Sequence, residues 1–221
     1  MPADRDCSPP ETRGRTLDHA ASVYDLLAPV MTLGLEGRYR RRTIELLRLV
    51  GTERVLDIGC GTGILTRQIA ARLDGSCREQ VIGIDAAAKM IAVARRKAAG
   101  IVNVHFKTAV AETLPFAEAR FDAAASTFFY HHIDMDLKKR SLAELRRVLK
   151  PGGRAVIVDV DTPTNLLGRL CAWSGYWLFR QEEIRENIEG RLRESLYDAG
   201  FSRVEKVSHH AGHISIFYLE N

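Results

Sequence analysis

Cysteine is scarce in this sequence, and long apolar runs are absent. Only four of the 221 residues are cysteine, and no two form a C-x-x-C pair or lie near histidines at a zinc-like spacing: Cys7, Cys60, Cys77 and Cys171. These absences argue against a disulfide framework and favour the reducing cytoplasm. The N-terminus has no apolar signal core, and no stretch reaches the roughly 18 apolar residues of a membrane span. We expect a cytoplasmic protein that contacts a membrane at most peripherally.

Excess charge of one sign is also small. The formal net charge is +4, which is compatible with an anionic substrate, a membrane surface or simply a solvated surface, and the last is the simplest explanation. Hydrophobic residues make up 46% and charged residues 27% of the 221 residues. These proportions and this length fit one globular domain with an ample core.

The chain does contain a regular alternation of apolar strands and helices. It predicts a helix at 39–50, a strand–helix series from 54 to 160, a polar helix at 184–199 and a C-terminal hairpin. Such alternation indicates right-handed βαβ crossovers and a doubly wound α/β fold with helices on both faces of a mostly parallel sheet. The predicted strands are 54–58, 80–84, 102–106, 121–126 and 154–160, the helices between them 64–73, 87–99 and 137–149, and the hairpin strands 203–208 and 213–219.

The two ends of the chain differ from this regular part. Residues 1–16 carry three prolines and many charges and are predicted to form a disordered leader. Residues 17–50 are predicted to form a helical cover, and residues 51–221 the α/β domain. Within that domain, 163–182 contains both tryptophans between arginines. We interpret this segment as a lid over an apolar substrate or a membrane-surface helix, and a core helix is the alternative.

The stretch VLDIGCGTG, residues 55–63, is an apolar strand that continues into a glycine-rich turn. Gly59, Gly61 and Gly63 permit a sharp bend and let a ligand lie against the main chain. The next glycine of the dinucleotide fingerprint is missing, which favours a nucleoside with a short charged tail over a pyrophosphate. Asp85, at the end of the second strand, can accept both ribose hydroxyls. Capping the next helix is its alternative role.

Four blocks in this order resemble the class I S-adenosylmethionine-dependent methyltransferases: VLDIGCGTG (55–63), VIGIDAAAKMI (81–91), AETLPF with RFD (111–122) and LAELRRVLKPGGRAVIVD (142–159). The YDLL and MTLG stretches at 24–27 and 31–34 are similar to the ubiquinone/menaquinone C-methyltransferase-like subgroup. The resemblance implies a Rossmann-like seven-stranded sheet in the order 3-2-1-4-5-7-6, S-adenosylmethionine as cofactor and a small-molecule methyl acceptor.

The resemblance also implies a set of cofactor-binding residues. Asp57 would approach the cofactor's amino group, the glycine turn would lie under its methionine part, and Met90 would lie beside the adenine. Val110 departs from the family, in which an Asp or Asn commonly bonds the adenine at this place. Three groups can form a hydrogen bond with the adenine in its place: the backbone N–H of Ala111, the side chain of Glu112 and a water molecule. The full set is Tyr24, Asp57, Gly59, Gly61, Thr62, Gly63, Asp85, Ala86, Met90, Val110, Ala111 and Thr127.

The loop after the fourth strand, FFYHH at 128–132, faces the transferred methyl group in this family. His131 and His132 are general-base candidates because a neutral imidazole accepts a proton near pH 7; a structural pair that orients the loop is the alternative. The loop lacks the Asn/Asp-Pro-Pro-aromatic motif of DNA and protein-amide methyltransferases, so no nucleic-acid partner is expected. Asp159 and Asp161 lack the adjacent Asp-Asn pair of metal-dependent catechol-type enzymes, so no metal is expected.

These features predict a methyltransferase acting on a small apolar or amphipathic molecule, with quinol-like C-methylation favoured. The alternatives are a phospholipid-headgroup N-methyltransferase, a thiol or metalloid methyltransferase, and a non-catalytic S-adenosylmethionine-binding protein, to which Val110 lends some support. The sequence leaves open the acceptor atom and the choice between a monomer and a homodimer.

Overall fold

A seven-stranded sheet organises the part of the chain that the structure describes. This computed structural model describes residues 12, 14, 34–75, 77–179 and 182–221. The strands are β1 Val55–Ile58, β2 Val81–Asp85, β3 Val104–Thr108, β4 Phe121–Thr127, β5 Leu149–Val160, β6 Arg203–His210 and β7 Ile214–Glu220. They pair in the order β3-β2-β1-β4-β5-β7-β6. The first five are parallel, and β7 runs antiparallel to both β5 and β6. The predicted Rossmann-like fold and strand order are confirmed.

Helices cover both faces of the sheet. They are α1 Glu36–Leu47, α2 Ile64–Ala70, α3 Ala88–Lys97, α4 Met135–Val148, α5 Leu166–Phe179, α6 Glu182–Ile188 and α7 Arg191–Asp198, with a 3-10 turn at Tyr130–His132. Buried leucines of α4 and α7 cluster with Leu56 of β1, whereas those of α1 and α2 cluster with Val55. Neighbouring strand residues point to opposite faces. Because both faces are covered, all four residues of β1 are buried.

Two predicted elements are wrong in outline. The single helix predicted at 184–199 is two helices, α6 and α7, because Gly190 between them has a φ of 87°, a left-handed conformation that a continuous helix does not contain. The strand predicted at 154–160 begins earlier, at Leu149. Phe121 of β4 pairs with Leu149 and Ala123 with Arg154, so the Pro151-Gly152-Gly153 segment bulges out and the chain then rejoins the same strand.

Other predicted boundaries are displaced by a few residues. The strand predicted at 102–106 is β3 at Val104–Thr108, because Val102 is exposed in the preceding turn. The helix predicted at 39–50 is α1, which ends at Leu47 because Arg48 adopts a left-handed φ of 47°. The helix predicted at 64–73 ends at Ala70. The predicted leader and the helices before residue 33 lie outside the described residues, except for Thr12 and Gly14. In the described part of the chain, the helices fall short of the length and apolarity that crossing a bilayer requires.

Candidate active site

A cavity of about 570 Å³, counting space open to solvent, lies at the carboxyl edge of the parallel strands. Its walls come from α1, the turn after β1, the start of α2 and the end of β4. This edge is where open α/β sheets bind their ligands. The lining residues are Glu36, Tyr39, Arg40, Asp57, Gly59, Cys60, Gly61, Thr62, Ile64, Leu65, Thr127 and Phe128.

The glycine turn forms the floor of this cavity. Gly59, Gly61 and Gly63 have φ values of 69°, 53° and 75°, which non-glycine residues rarely adopt. A Cβ on Gly59 would lie 2.7 Å from Phe129, and a Cβ on Gly63 would lie 2.5 Å from the Phe106 ring. A Cβ added to Gly61 would meet no atom of the described residues within 4 Å, so this side of the main chain is open to a ligand. Glycine is therefore required by the backbone at all three positions and by packing at two.

Asp57, at the base of the cavity, is almost fully buried. It is 1% exposed, and its Oδ2 accepts a hydrogen bond from Thr66 Oγ1 at 2.6 Å. Burial, assisted by the nearby charge of Asp85, raises the pKa of Asp57 to about 7, although the Thr66 bond opposes the shift. A carboxyl group with this pKa ionises readily beside a cation. This fits the ammonium-binding role that the sequence predicts.

Asp85 joins the turn to the helix that follows β2. One carboxylate oxygen accepts from the Gly61 N–H at 2.9 Å, and the other from the Ala87 N–H at 2.8 Å. The second bond holds the residue just before α3, but Asp85 does not cap that helix: its N-cap is Ala87, and no side chain caps it. Both oxygens can still bind a ligand, since each carboxylate oxygen can accept more than one hydrogen bond. Ribose binding by Asp85 stays a prediction.

The remaining predicted cofactor residues fall into three groups. Thr62 and Thr127 line the cavity together with Asp57 and the glycine turn. A second group is placed after β2 and β3 but does not line the cavity: Ala86, Met90, Val110 and Ala111, of which the last three are at most 9% exposed. Tyr24 lies outside the described residues. Glu112, the possible substitute for the bond lost at Val110, accepts the Thr12 hydroxyl at 2.7 Å.

His131 forms a buried pair with Asp159. Its Nδ1 lies 2.7 Å from Asp159 Oδ1, and Asp159 is fully buried. The same carboxylate accepts the Tyr130 N–H at 2.7 Å, the Val160 N–H at 2.7 Å and the Asn187 side-chain amide at 3.3 Å. Because N–H groups donate to both oxygens, Asp159 acts as an acceptor, so Nδ1 of His131 carries the hydrogen and Nε2 can accept a proton.

The His131 ring is close to the cavity wall. Its centroid is 6.4 Å from that of Phe128, whose side chain lines the cavity, and 4.0 Å from that of His132. Phe128 has a φ of 56°, which is strained for an aromatic residue and costs of order 1–3 kcal/mol. The loop after β4 is thus held in an unusual conformation at the place where the sequence predicts the chemistry.

Three cavity residues of α1 were not recognised in the sequence as site residues: Glu36, Tyr39 and Arg40. The Tyr39 hydroxyl and the Arg40 Nε are buried, and neither has a hydrogen-bond partner within the described residues. Arg40 Nη1 pairs with Glu36 at 2.8 Å. The available signal was the i, i+4 spacing of Glu36 and Arg40 in a basic helix. Asp159 and Asn187 were also missed as partners of His131.

The aromatic helix α5 does not line the cavity. Its Ala172, Trp173 and Tyr176 pack instead with Ile184 and Ile188 of α6. Its other face is exposed: the side chains of Leu166, Leu167, Leu170 and Trp177 are between 60% and 73% exposed. The interpretation of 163–182 as a lid stays a prediction.

The chain resembles known methyltransferases in sequence and in fold. A family model described as a methyltransferase domain matches residues 55–153. The demethylmenaquinone methyltransferase of Thermus thermophilus is 40% identical over 144 residues, which cover 65% of this chain and 63% of that protein. The ubiquinone/menaquinone biosynthesis C-methyltransferase UbiE of Pseudomonas aeruginosa is 34% identical over 205 residues, covering 83% of this chain and 78% of that protein. A SAM-dependent methyltransferase from Aquifex aeolicus superposes with a TM-score of 0.66 at 19% identity, covering 93% of this chain and 99% of that one.

The sheet order and the glycine-lined cavity define a class I methyltransferase fold. Given the match to the Pseudomonas protein over most of its length, the chain belongs to the family of ubiquinone/menaquinone C-methyltransferases of the UbiE type. The chain spans 57–63% of the length of the first curated relatives it matches.

Proposed function

We propose that this protein transfers a methyl group from S-adenosylmethionine to a ring carbon of a quinol-like acceptor. The observation that carries the proposal is the cavity, where the glycine turn, the poised carboxyl of Asp57 and the loop of His131 converge. Curated relatives at 33–40% identity are named demethylmenaquinone methyltransferase or ubiquinone/menaquinone biosynthesis C-methyltransferase. No observation favours headgroup N-methylation, thiol methylation or binding without catalysis.

The residues present fit this cofactor. Gly61 leaves the main chain open, Asp57 is ready to ionise beside an ammonium group, and Asp85 and Thr127 lie on either side of β1, at the ends of β2 and β4. When bound there, the cofactor supplies a methyl group activated by its positive sulfur. The protein supplies alignment and removal of water, since the aromatic residues Tyr39 and Phe128 both line the cavity and their rings contact each other.

His131 removes a proton from the acceptor in this proposal. The acceptor's ring hydroxyl gives its proton to Nε2, which leaves a phenolate-like ring whose adjacent carbon is nucleophilic. Asp159 holds the Nδ1–H and stabilises the imidazolium that forms, and Asn187 with two backbone N–H groups holds Asp159. Asp159 is therefore a positioning residue. After methylation the substituted carbon gives its proton to water, and the imidazolium returns its proton to the ring oxygen, so that the ring recovers aromaticity and His131 is neutral again.

His131→Gln and Asp159→Asn test this assignment. With a short-chain demethylnaphthoquinol and isotope-labelled S-adenosylmethionine, we expect His131→Gln to lower kcat by about 10²- to 10⁴-fold. Calorimetric affinity for the cofactor should stay within about twofold. Asp159→Asn should lower kcat and also move the acidic limb of the pH–rate profile, which a purely structural change would not do. His132→Gln is the matched control and should retain most activity.

Three results would contradict the proposal. Unchanged kcat in His131→Gln would remove the base. Transfer of label to phosphatidylethanolamine or to a small thiol, but not to the quinol, would establish a different acceptor. Tight cofactor binding with no product from any acceptor would indicate a binding protein.

We also propose that the protein works in the cytoplasm, at the surface of a membrane that holds the apolar acceptor. The support is the exposed face of α5, where Leu166, Leu170 and Trp177 lie beside the exposed Arg169. The first turn of α5 packs on Gly212 in the turn between β6 and β7, and His210 nearby contacts Tyr39 in the cavity wall. In this proposal residues 163–182 deliver the acceptor, and residues 17–50 cover the cofactor.

A further inference from the structure

A buried lysine links α4 to α6. The side chain of Lys138 in α4 is fully buried, and its Nζ donates to Glu186 Oε2 at 2.6 Å and to the Glu183 carbonyl at 3.2 Å. Both acceptors belong to α6, the helix that also carries Asn187. Burying an ammonium group costs free energy even when the group is paired, which favours a role for the charge at this position.

The same stretch of α6 reaches the carboxylate of Asp159. Asn187, the residue after Glu186, donates its side-chain amide to Asp159 Oδ1 at 3.3 Å, and His131 Nδ1 lies 2.7 Å from the same oxygen. Burial lowers the pKa of Lys138, and Glu186 and the charge of Asp159 oppose that shift. The carboxylate that is bonded to His131 is therefore also within the electrostatic range of a second cation.

The charge of Asp159 alone would work against a general base at His131. A buried carboxylate at hydrogen-bond distance stabilises the imidazolium form of a histidine, and an imidazolium has no lone pair to accept the proton of an acceptor. A second positive charge near the carboxylate has the opposite effect, because it repels the proton on the imidazole. Since Lys138 is buried, water screens this repulsion only weakly.

We propose that the ammonium group of Lys138 keeps the His131 imidazole neutral, and so ready to accept a proton, in the resting protein. This inference rests on the base assigned to His131 under the proposed function. Glu186 stabilises the charged form of Lys138 through the 2.6 Å bond. Lys138 does not line the cavity and acts through Asp159 and His131, so it is a positioning residue.

Other titratable side chains lie around this cluster. In the elements that pack together here they are His132 and Tyr130 after β4, Asp134 before α4, Asp161 after β5, Tyr176 in α5, Glu183 in α6, Arg193 in α7, and Lys206 and His209 in β6. On its open side Glu186 shares a cavity with Glu182, Arg185, Glu189 and Arg191. All of these residues stay the same in the variants compared below, so they do not account for a difference between them.

An NMR titration of the histidines tests the proposal without measuring activity. The C2–H signals of His131 and His132 are assigned by their loss in His131→Gln and His132→Gln. Lys138→Met removes the charge and keeps an unbranched side chain of similar length. We expect this variant to raise the midpoint pH of the His131 titration by about 0.5–1 pH unit, because a nearby, partly screened positive charge is lost.

Combining Lys138→Met with Glu186→Gln separates the effect of charge from that of structure. The double variant lacks the link between α4 and α6, as the single variant does, but the summed charge of the two positions is again that of the wild type. The midpoint should therefore return to within about 0.3 pH unit of the wild-type value. If a loosened α6 were the cause, the double variant would keep the midpoint of Lys138→Met, and the proposal would be overturned.

Lys139→Met is the matched control, because it removes the same charge from an exposed position one residue along α4. Water screens that charge, so the midpoint should move by less than about 0.2 pH unit. An equally small change in Lys138→Met would overturn the proposal. If Lys138→Met does not fold, Glu186→Gln decides: it leaves Lys138 without its counter-charge and should lower the midpoint by at least about 0.3 pH unit, and an unchanged midpoint would refute the proposal.

The pH–rate profile of kcat connects this test to the proposed function. Its acidic limb should move to higher pH in Lys138→Met, together with the NMR midpoint, and should return in the double variant. Movement of the midpoint without movement of the limb would overturn the assignment of His131 as the base and leave the charge effect of Lys138 in place.

Discussion

At the scale of single residues, the burial of Asp57 makes the stability of the protein depend on pH. Its carboxyl is buried, which disfavours the charged form and raises its pKa from 3.8 to about 7. A group whose pKa is raised on folding stabilises the folded state below its unfolded pKa, and this contribution is lost as pH rises through the folded pKa. The free protein should therefore become less stable between about pH 4 and 7 because of this residue.

Asp57→Asn should remove that pH dependence. The shift of the pKa from 3.8 to about 7 corresponds to a loss on the order of 4–5 kcal/mol by pH 8, at about 1.4 kcal/mol for each pKa unit. We expect the variant to be more stable than the wild type at pH 8 and similar at pH 4.5, because its neutral amide can still accept from Thr66. Urea denaturation at both pH values measures the difference.

The exposed Glu118→Gln, with the same change of charge, should show no such gain. The free energy of unfolding of the wild type and that of Asp57→Asn could instead change in parallel between pH 5 and 8. That result would show that Asp57 is already ionised in the free protein.

At the scale of elements, the junction of α5 with the C-terminal hairpin leaves less room for an added Cβ than the surroundings of any other described glycine. A Cβ on Gly168, in the first turn of α5, would overlap the carbonyl of Gly212. Asn165 bonds the Gly168 N–H at 2.7 Å and also contacts Gly212, and the Thr164 N–H bonds the Gly212 carbonyl at 2.9 Å. The position of α5 is therefore fixed at its beginning by β6 and β7.

Gly168→Ala should destabilise the protein by about 1–3 kcal/mol, because either the helix or the hairpin turn must move. Gly37→Ala is a matched control: it also lies in the first turn of a helix, α1, and none of the described residues comes within 4 Å of its added Cβ. That variant should gain about 0.5–1 kcal/mol. Thermal and urea unfolding of the two variants measure the contrast, and equal effects would refute the contact.

At the scale of the whole molecule, the sheet could be predicted from sequence because its elements are local patterns in a fixed order. Strands β1, β2 and β4 lie within one residue of their predicted bounds at each end. The break at Gly190 was missed because an isolated glycine in a polar helical pattern gives no sign of its φ. The bulge before Arg154 was missed because pairing with β4 decides it, and periodicity does not.

Only those residues of the candidate site that belong to a local sequence motif could be predicted from the sequence. The glycine turn and Asp85 belong to such motifs, and the structure brings them into contact. The Asp159 partner of His131 and the buried hydroxyl of Tyr39 depend on residues far apart in the chain. Tyr39 is enclosed by Phe128 and His210, and no local pattern predicts that enclosure.

The exposed apolar face of α5 leads to a prediction about the whole protein. We expect it to sediment with phosphatidylglycerol vesicles more than with phosphatidylcholine vesicles, because arginines flank the apolar residues. Exchanging both Leu170 and Trp177 for serine should reduce binding about tenfold or more. Tyr197→Ser, which removes an exposed aromatic side chain from α7, should have little effect. Equal binding by the wild type and the double variant would show that α5 is not the contact.

The Phe106 ring of β3 lies against two residues of the turn after β1, Cys60 and Gly63, and against Gly83 of β2. It fills the space where a Cβ of Gly63 or of Gly83 would stand, and it packs beside Cys60. These positions therefore cannot drift independently during evolution. A relative with alanine at the place of Gly83 must carry a smaller side chain at the place of Phe106. Among relatives, the two exchanges should therefore occur together. Residues of the edge strand β3 should accordingly covary with residues that surround the glycine turn.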